Sequence, residues 1–213
     1  MSAGNHLLAV WMGVPEEHEA ELNRWYDEEH IADRMVNPGF LALRRYVSIK
    51  GEPKYVALYD LEDARTLYSE PYQKARANPT PWAQKVMASL SANIRNEYEP
   101  LTSLGEAPAD GAPYALLVRV DVDPAHEAGF NAWYDEEHLP ALAAVPGVLA
   151  ARRYRLTAGP GPKYLAVYEL ATEAVPESDA WRKAGDTPRT AKLRPYVQNV
   201  STNLGRLIKS VRA

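Results

Sequence analysis

Two histidines stand at the end of the same six-residue sequence, once in each half of the chain. The hexapeptide Trp-Tyr-Asp-Glu-Glu-His begins at position 25 and recurs unchanged at position 133. In each copy a tyrosine lies four residues before the histidine, Tyr26 before His30 and Tyr134 before His138. On a helix the two side chains of each pair share a face. Because an imidazole can move a proton near neutral pH and a phenol can donate a hydrogen bond to a developing anion, these pairs are candidate catalytic residues.

The neighbours of these histidines predict how the rings would be held. Leu22 lies on the same helix face as Tyr26, which indicates that this face points into the protein. Asp27 and Asp135 precede the histidines by three residues, so their carboxylates could orient the imidazoles or raise their pKa. Pro140 predicts that the second helix ends near its histidine and that the helix dipole favours the protonated ring. The alternative is that the motif is structural, with each histidine packing or capping at a helix end.

Two adjacent arginines follow each motif and supply candidate ligand-binding residues. The sequence Arg-Arg-Tyr begins at Arg44 and again at Arg152, within strand-like segments. Successive residues of a strand point to opposite faces, so one arginine of each pair would face the helices and the other the opposite sheet face. We take Arg45 and Arg153 as candidates for holding a carboxylate or a phenolate. The alternative for one arginine of each pair is an ion pair with the acidic helix segment at residues 27–29.

Aromatic residues supply the remaining candidates for binding a ligand. Alternation along a strand in each half places tyrosines on one sheet face, at Tyr55 and Tyr59 and at Tyr164 and Tyr168. On two facing sheets they could line an aromatic pocket, and the alternative is packing in the core. Trp11 is a further candidate because the second half has an arginine at the matching position. Such a difference is expected where one half keeps a ligand, although neutral drift also produces it.

The elements that carry these residues repeat along the chain. The two halves align at an offset of 108 residues, which becomes 109 after one added residue in a later loop. Each half shows a short apolar strand, a charged helix, two strands, a broken helical region and a final strand. This β-α-β-β-α-β order is that of a ferredoxin-like unit, an α+β arrangement whose free sheet face must be covered. We predict units at residues 1–104 and 114–213, joined by a linker at 105–113 and paired in one intramolecular α/β barrel.

Composition excludes several classes of function. The formal net charge is −4, so no basic surplus indicates binding to nucleic acid or to an anionic membrane. The chain has no cysteine, which excludes disulfides and thiolate chemistry. The sequence shows neither a signal peptide nor an apolar run of roughly 20 residues, so we expect a cytoplasmic protein. We expect no metal site, because the side chains of Asp-Glu-Glu-His spread around a helix rather than converge.

The repeated motif also resembles a known superfamily. In the second half Trp-Tyr-Asp-Glu-Glu-His-Leu-Pro at 133–140, Pro-Gly at 146–147 and Ala-Arg-Arg-Tyr at 151–154 are similar to sequences of the dimeric α/β-barrel superfamily, in its EthD-like or related branches. The first half departs from this pattern with Ile31-Ala32 and Leu43. The resemblance implies a barrel made from two units, here as a dimer within one chain. It also implies activities that include isomerases, polyketide cyclases, cofactor-free quinone-forming monooxygenases, and haem-dependent dehydratases and peroxidases.

Three hypotheses for function follow. The first is an enzyme without a cofactor that acts on a small apolar, aromatic or polyketide-like metabolite by proton transfer from or to a histidine, as an isomerase, cyclase, lyase or monooxygenase. The second is a haem enzyme with one histidine as the proximal ligand. The third is a small-molecule-binding protein without catalysis, in which the motif only builds the fold. In each case the exposed helices could also bury one another in a homodimer.

Overall fold

Eight apolar or alternating segments form one closed antiparallel barrel in the computed structural model, which describes residues 5–213. The strands of the first half are β1 (His6–Gly13), β2 (Phe40–Lys50), β3 (Tyr55–Leu61) and β4 (Ala92–Gly105). Those of the second half are β5 (Tyr114–Val122), β6 (Val148–Ala158), β7 (Tyr164–Leu170) and β8 (Val197–Arg212). Around the barrel they follow the order β1-β3-β2-β8-β5-β7-β6-β4. The protein is therefore of the α+β class, and its two halves have the same order of elements.

The helices cover the outside of the barrel. In the first half they are α1 (Glu16–Trp25), α2 (Ile31–Met35), α3 (Glu70–Ala77) and α4 (Pro81–Ser89). In the second half they are α5 (Glu127–Trp133), α6 (Leu139–Ala143), α7 (Asp179–Gly185) and α8 (Pro188–Leu193). Short 3-10 segments occur at Ala64–Tyr68, Pro124–His126, Val175–Glu177 and Arg194–Tyr196. Both Thr80 and Thr187 accept a backbone N–H as N-caps before a proline, as the sequence predicts.

The last strand of each half joins the two halves. Strand β4 pairs with β1 of its own half and with β6 of the other, and β8 pairs in the same way with β5 and β2. These two strands have 14 and 16 residues, longer than the rest. In β4, residues 92–98 pair with β1 and residues 97–105 pair with β6, so two successive parts of the strand serve the two halves. The backbone hydrogen bonds that would be exposed at the edges of two separate sheets are thus satisfied. Residues 106–113 connect the halves without helix or strand.

The repeated motif folds as a π turn rather than as ordinary α-helix. Tyr26–His30 lies between α1 and α2, and the Ile31 N–H donates to the carbonyl of Tyr26, five residues back. At 3.6 residues per turn Ile31 would lie about 180° around the helix from Leu22. One extra residue in the turn rotates it back by about 100°, so that both side chains reach the core. The second π turn, Tyr134–His138, does the same for Phe130 and Leu139.

Side chains from both halves fill the barrel interior. Tyr46, Tyr98 and Tyr154 are at most 2% exposed there, and Trp11 is fully buried among them. Trp11 donates through Nε1 to Asn203 Oδ1 at 3.1 Å, and the guanidinium of Arg119 lies 4.2 Å from its ring centroid. The sequence left open whether side chains or a ligand occupy the space between the sheets. The structure shows a packed core there.

A buried ion network crosses between the halves inside the barrel. Glu169 on β7 is fully buried and accepts hydrogen bonds from Arg44 of the first half and Arg152 of the second. Arg44 also donates to Asp60 at 2.6 Å. These carboxylates raise the pKa of the Arg44 guanidinium despite its burial, so it stays charged. The network thus joins the two halves through ion pairs in which Arg44 and Glu169 are buried.

We expect Glu169→Gln to lower the free energy of unfolding by about 3–5 kcal/mol, because it leaves buried guanidinium groups short of a countercharge. Urea unfolding followed by circular dichroism measures the change. The matched control is Asp179→Asn, which breaks the exposed pair between Asp179 and Arg182 and is expected to be nearly neutral. Equal effects of the two substitutions would show that the network contributes no special stability.

Candidate active site

The π turn brings a tryptophan ring and a tyrosine ring together beside each histidine. In an α-helix residues five apart lie about 140° from each other around the axis, so Trp25 and His30 would diverge. In the widened turn their ring centroids are 4.2 Å apart, and those of Tyr26 and His30 are 4.8 Å apart. The second π turn repeats this arrangement, with His138 at 4.3 Å from Trp133 and 4.9 Å from Tyr134. The shared face of Tyr and His predicted from the sequence is therefore present in both halves, with Trp added to it.

Each histidine lines a cavity between the helices and the outer face of the sheet. The first cavity has a volume of about 300 Å³ and is lined by His30, Tyr26 and Tyr59, with Met12 and Tyr72 beside them. Volumes of this size are at the lower end of those that hold small molecules. A shallower cavity on the far side of Arg34 also touches His30 and continues towards Asn37 and Thr80. The ligand-sized space of this half thus lies outside the barrel, not inside it.

The second cavity has the equivalent place in the other half. It has a volume of about 470 Å³, and its lining includes His138, Tyr134, Tyr168 and Trp181. Leu116 and Val118 on the outer face of β5 form its floor. Trp181 packs edge-to-face on Tyr168 with ring centroids 5.0 Å apart. Both halves therefore present an imidazole and two tyrosines to a partly apolar space.

Burial keeps both imidazoles neutral. It lowers the pKa of His30 well below 6.5, and the nearby positive charges of Arg34 and Arg45 lower it further. The pKa of His138 is about 4, again chiefly because of burial. His30 Nε2 lies 3.1 Å from the Tyr59 hydroxyl, whereas His138 Nδ1 is enclosed and has no hydrogen-bond partner in residues 5–213. At neutral pH each ring can accept a proton.

Two expectations about the histidines are wrong. The aspartates do not raise the pKa of either ring, because their carboxylates point elsewhere. Asp27 lies 3.1 Å from Lys209 Nζ, and Asp135 accepts from Thr102 at 2.8 Å and from Arg153 at 3.2 Å. Nor does the helix end at the second histidine, since α6 follows directly with Pro140 in its first turn. The widened turn already departs from the i→i−4 hydrogen-bond pattern, so a proline without an N–H follows it without ending the helix.

The tyrosine hydroxyls beside the histidines are neutral donors. Burial raises the pKa of Tyr26 and Tyr134, although the positive charge of the arginine beneath each ring opposes the rise. The Tyr26 hydroxyl donates to Met12 Sδ at 3.3 Å. The hydroxyls of Tyr134 and Tyr168 are 3.2 Å apart. Each pair of tyrosines thus carries hydroxyl groups whose present partners are weak or shared.

The predicted arginines lie behind the tyrosines rather than on the cavity surface. As alternation predicts, the two arginines of each pair face opposite sides of the sheet. The structure shows that Arg45 and Arg153 face the helices and that Arg44 and Arg152 face the barrel interior. The Arg45 guanidinium lies 3.6 Å from the Tyr26 ring centroid and donates to Asn23. That of Arg153 lies 4.5 Å from the Tyr134 ring, donates to Asn131 and pairs with Asp135. Each guanidinium thus packs against the face of its tyrosine ring, behind the cavity surface.

The other predicted residues divide between the cavities and the core. Tyr59 and Tyr168 line the cavities, but Tyr55 and Tyr164 do not. Tyr55 donates to Glu19 at 3.1 Å, and Tyr164 donates to Glu127, each at the start of a helix. All four tyrosines face the helices of their own half. They therefore do not line a pocket between facing sheets, which was one of the two possibilities that the sequence offered. Trp11 lies in the barrel interior and lines neither cavity.

The sequence did not single out several residues that line the cavities, among them Arg34, Tyr72 and Trp181. Arg34 lies four residues after His30, the helical spacing that first drew attention to the Tyr–His pair, so this signal was available. Tyr72 and Trp181 come from the broken helical region, where no regular period shows which side chains point inwards. In residues 5–213 no group of three His, Asp or Glu side chains is placed to hold a metal ion. Among these residues no helix is both long and apolar enough to cross a membrane.

Comparison with known proteins gives the fold a context. No family model matches the sequence, and neither does any curated protein. Among solved structures, an anthrone oxidase-like protein is similar with a TM-score of 0.67 at 14% identity, over 100% of this chain and 94% of that one. A monooxygenase-like protein from Listeria innocua gives 0.54 at 11% identity, over 96% and 95%. A variant chlorite dismutase from Candidatus Nitrospira defluvii gives 0.64 at 11% identity, over 98% and 93%. At these identities the likeness shows that the chain shares the fold of these proteins.

Proposed function

We propose that the protein is an enzyme that needs no cofactor and takes a proton from a small apolar, aromatic metabolite. The observation that carries the proposal is the same in both halves. A neutral imidazole and two tyrosine hydroxyls meet at a cavity between helices and sheet. A binding protein without catalysis is the rival, and a sealed core beside both histidines would have favoured it. The presence of a cavity at each histidine supports the catalytic hypothesis.

The imidazole acts as the general base. His30 and His138 carry no proton at neutral pH, so each can accept one from an acidic C–H or phenolic O–H of the ligand. A pKa near 4 makes a weak base towards water. A ligand anion forming beside the ring favours its protonated form, so the pKa rises as the proton moves. The same burial that keeps the free imidazole neutral also strengthens the ion pair between the protonated imidazole and the ligand anion, because little solvent screens that pair.

The tyrosines stabilise the anion that forms. Tyr26 and Tyr134 remain protonated, and their hydroxyls can donate a hydrogen bond to an enolate or phenolate oxygen. Arg45 and Arg153 act through these rings as positioning residues, since each guanidinium stacks on a tyrosine and is itself anchored on an asparagine. Donors fixed in this way need little reorganisation when charge develops.

The reaction that follows proton removal is proposed as a quinone-forming oxygenation. The names of the anthrone oxidase-like and monooxygenase-like neighbours support this class. An anthrone-type CH₂ and dioxygen would give a carbonyl and one water molecule. The ligand carbanion supplies the electrons, one oxygen atom becomes the carbonyl, and the other leaves as water with the two hydrogens. Isomerisation, cyclisation or lyase chemistry would share the first step and differ only in what the anion does next.

The residues present do not fit the proximal site of a haem enzyme. A histidine that ligates a metal presents one nitrogen to the metal and donates its other N–H to an acceptor. His30 already has Nε2 against the Tyr59 hydroxyl, and the enclosed Nδ1 of His138 has no acceptor among the described residues. We therefore propose no haem.

We also propose an origin of the chain by duplication of one ferredoxin-like unit of an EthD-like or related branch, which the repeated motif and element order support.

Proton transfer can be tested apart from oxygenation. Under anaerobic conditions in deuterium oxide, we expect the protein to accelerate exchange of the acidic CH₂ hydrogens of anthrone, measured by NMR. The double variant His30→Gln with His138→Gln is expected to exchange these hydrogens roughly 10²–10⁴-fold more slowly, because this is the usual contribution of a general base to a rate. Each single substitution reports the share of one half.

The matched control for this experiment is His18→Gln, which changes an exposed histidine at the start of α1. Its exchange rate should equal that of the unmodified protein. If the double variant is folded by circular dichroism and still exchanges at the full rate, the histidines are not the base. Oxygen uptake with anthrone in air then separates the oxygenase class from the others.

The neutral histidines should also make the fold sensitive to acid. The folded-state pKa of His138 is about 4, below the 6.5 of an ordinary imidazole, so between these values only the unfolded chain binds the proton. Stability is therefore full above pH 6.5 and decreases as the pH falls towards 4, by on the order of 3 kcal/mol from this residue. Urea unfolding at several pH values should show a shallower dependence in His138→Gln. An unchanged dependence would mean that the ring is not held neutral by the fold.

Haem binding is tested by adding haem to the purified protein and recording its absorbance. We expect no Soret band beyond that of free haem, since neither imidazole fits the role of an iron ligand. A new band that disappears in His138→Gln but persists in His18→Gln would restore the haem hypothesis.

A further inference from the structure

The two cavities differ in charge although they occupy equivalent places. At the offset of 108 residues Arg34 corresponds to Leu142, and at 109 Arg76 corresponds to Gly185. Arg95 pairs with Val10 in the barrel as Thr202 pairs with Val118, so these two also correspond. The first cavity thus has arginines at three positions where the second half has none. The three corresponding pairs are Arg34 and Leu142, Arg76 and Gly185, and Arg95 and Thr202.

Arg34 lines the first cavity without an ion-pair partner among the described residues. Its Nη1 is enclosed and has no hydrogen-bond partner, and no carboxylate oxygen among the described residues lies within 4.0 Å of its nitrogens. The guanidinium carbon lies 5.6 Å from the Tyr72 ring centroid, at the wall of the cavity. A guanidinium N–H that is enclosed without an acceptor has lost the hydrogen bond that it makes to water in the unfolded chain. An anionic ligand would supply a new acceptor for it. Arg95, in contrast, is paired with Glu97.

The second cavity has no such charge. Its two arginines lie at the rim and each has a carboxylate partner. Arg182 pairs with Asp179, and Arg194 pairs with Asp186 at 3.3 Å. Where the first cavity has Arg34, the second has the apolar Leu142. The two spaces therefore suit ligands of different charge.

We infer that the first cavity binds a small aromatic carboxylate and that the second prefers an uncharged ligand. The planar guanidinium of Arg34 matches a carboxylate with two parallel hydrogen bonds. Leu8, Met12 and Met87 form apolar walls for the ring, and the volume of about 300 Å³ suits a small fused-ring system. The inference deepens the proposed function, since it names the substrate class of the site at His30, but it concerns binding alone.

Methionine NMR can observe the first cavity by itself. Met12 and Met87 line it, Met35 does not, and residues 114–213 contain no methionine. Protein with ¹³C-labelled methionine methyl groups is titrated with 2-naphthoate and with naphthalene-2-carboxamide, its neutral analogue of the same shape. We expect 2-naphthoate to shift the Met12 and Met87 signals with an affinity roughly ten- to hundredfold higher than that of the amide, because its bonds to Arg34 are charge-assisted. Met35 is the internal control.

Arg34→Leu, which places the second half's residue in the first, should make the two affinities equal. Arg34→Lys keeps the charge without the planar fork and should keep part of the preference, so a loss of fold in one variant does not end the test. Equal affinities in the unmodified protein, or an unchanged preference in a folded Arg34→Leu, would overturn the inference. Calorimetric binding of 2-naphthoate without shifts at Met12 and Met87 would also overturn it. No turnover is involved, so failure of the histidine experiment leaves this result standing.

Discussion

The pairing of each half's last strand with the other half is the constraint on which the structure depends. A single four-stranded sheet with helices on one face would expose its other apolar face and two unpaired edges. Strands β4 and β8 remove both problems, because each adds to the neighbouring sheet and closes the barrel. The enclosed face then becomes a core of large aromatic side chains with a buried network around Glu169.

The closed interior explains why the candidate sites lie on the outside of the barrel. The two cavities beside the histidines lie in the layer between sheet and helices, and the π turns shape this layer. Each widened turn returns the following helical segment to the core and brings the Trp, Tyr and His rings together on one side of the helix, with the Tyr ring edge-on to the His ring. One irregularity of the backbone thus serves packing and creates the chemical environment of the histidine. A turn of this kind inside a helix is often found at functional sites.

Burial and charge give the two sites a common base and different surroundings. Both imidazoles are neutral for the same reason, their removal from solvent next to a positive guanidinium. The arginines around the first histidine lack part of their hydrogen-bond partners. The second histidine is surrounded by apolar side chains and by arginines that form ion pairs. A single chain can thus retain one chemistry while its halves select different ligands. The two halves differ in sequence, which permits such a difference, whereas two identical chains in a dimer could not have it.

Much of the architecture could be read from the sequence. The repeated hexapeptide predicted two like halves, alternation predicted that the two arginines of each pair face opposite sides of the sheet, and the spacing of four predicted that Tyr and His meet. These predictions depend on local geometry, which the order of residues determines. Other features required the folded structure. Asp27 and Asp135 are near the histidines in the chain, yet their carboxylates bind Lys209 and Arg153 from distant strands, and burial lowers the pKa that proximity was expected to raise. The place of the cavities was likewise decided only by barrel closure, because the depth of a side chain and the charges around it depend on residues far away in sequence.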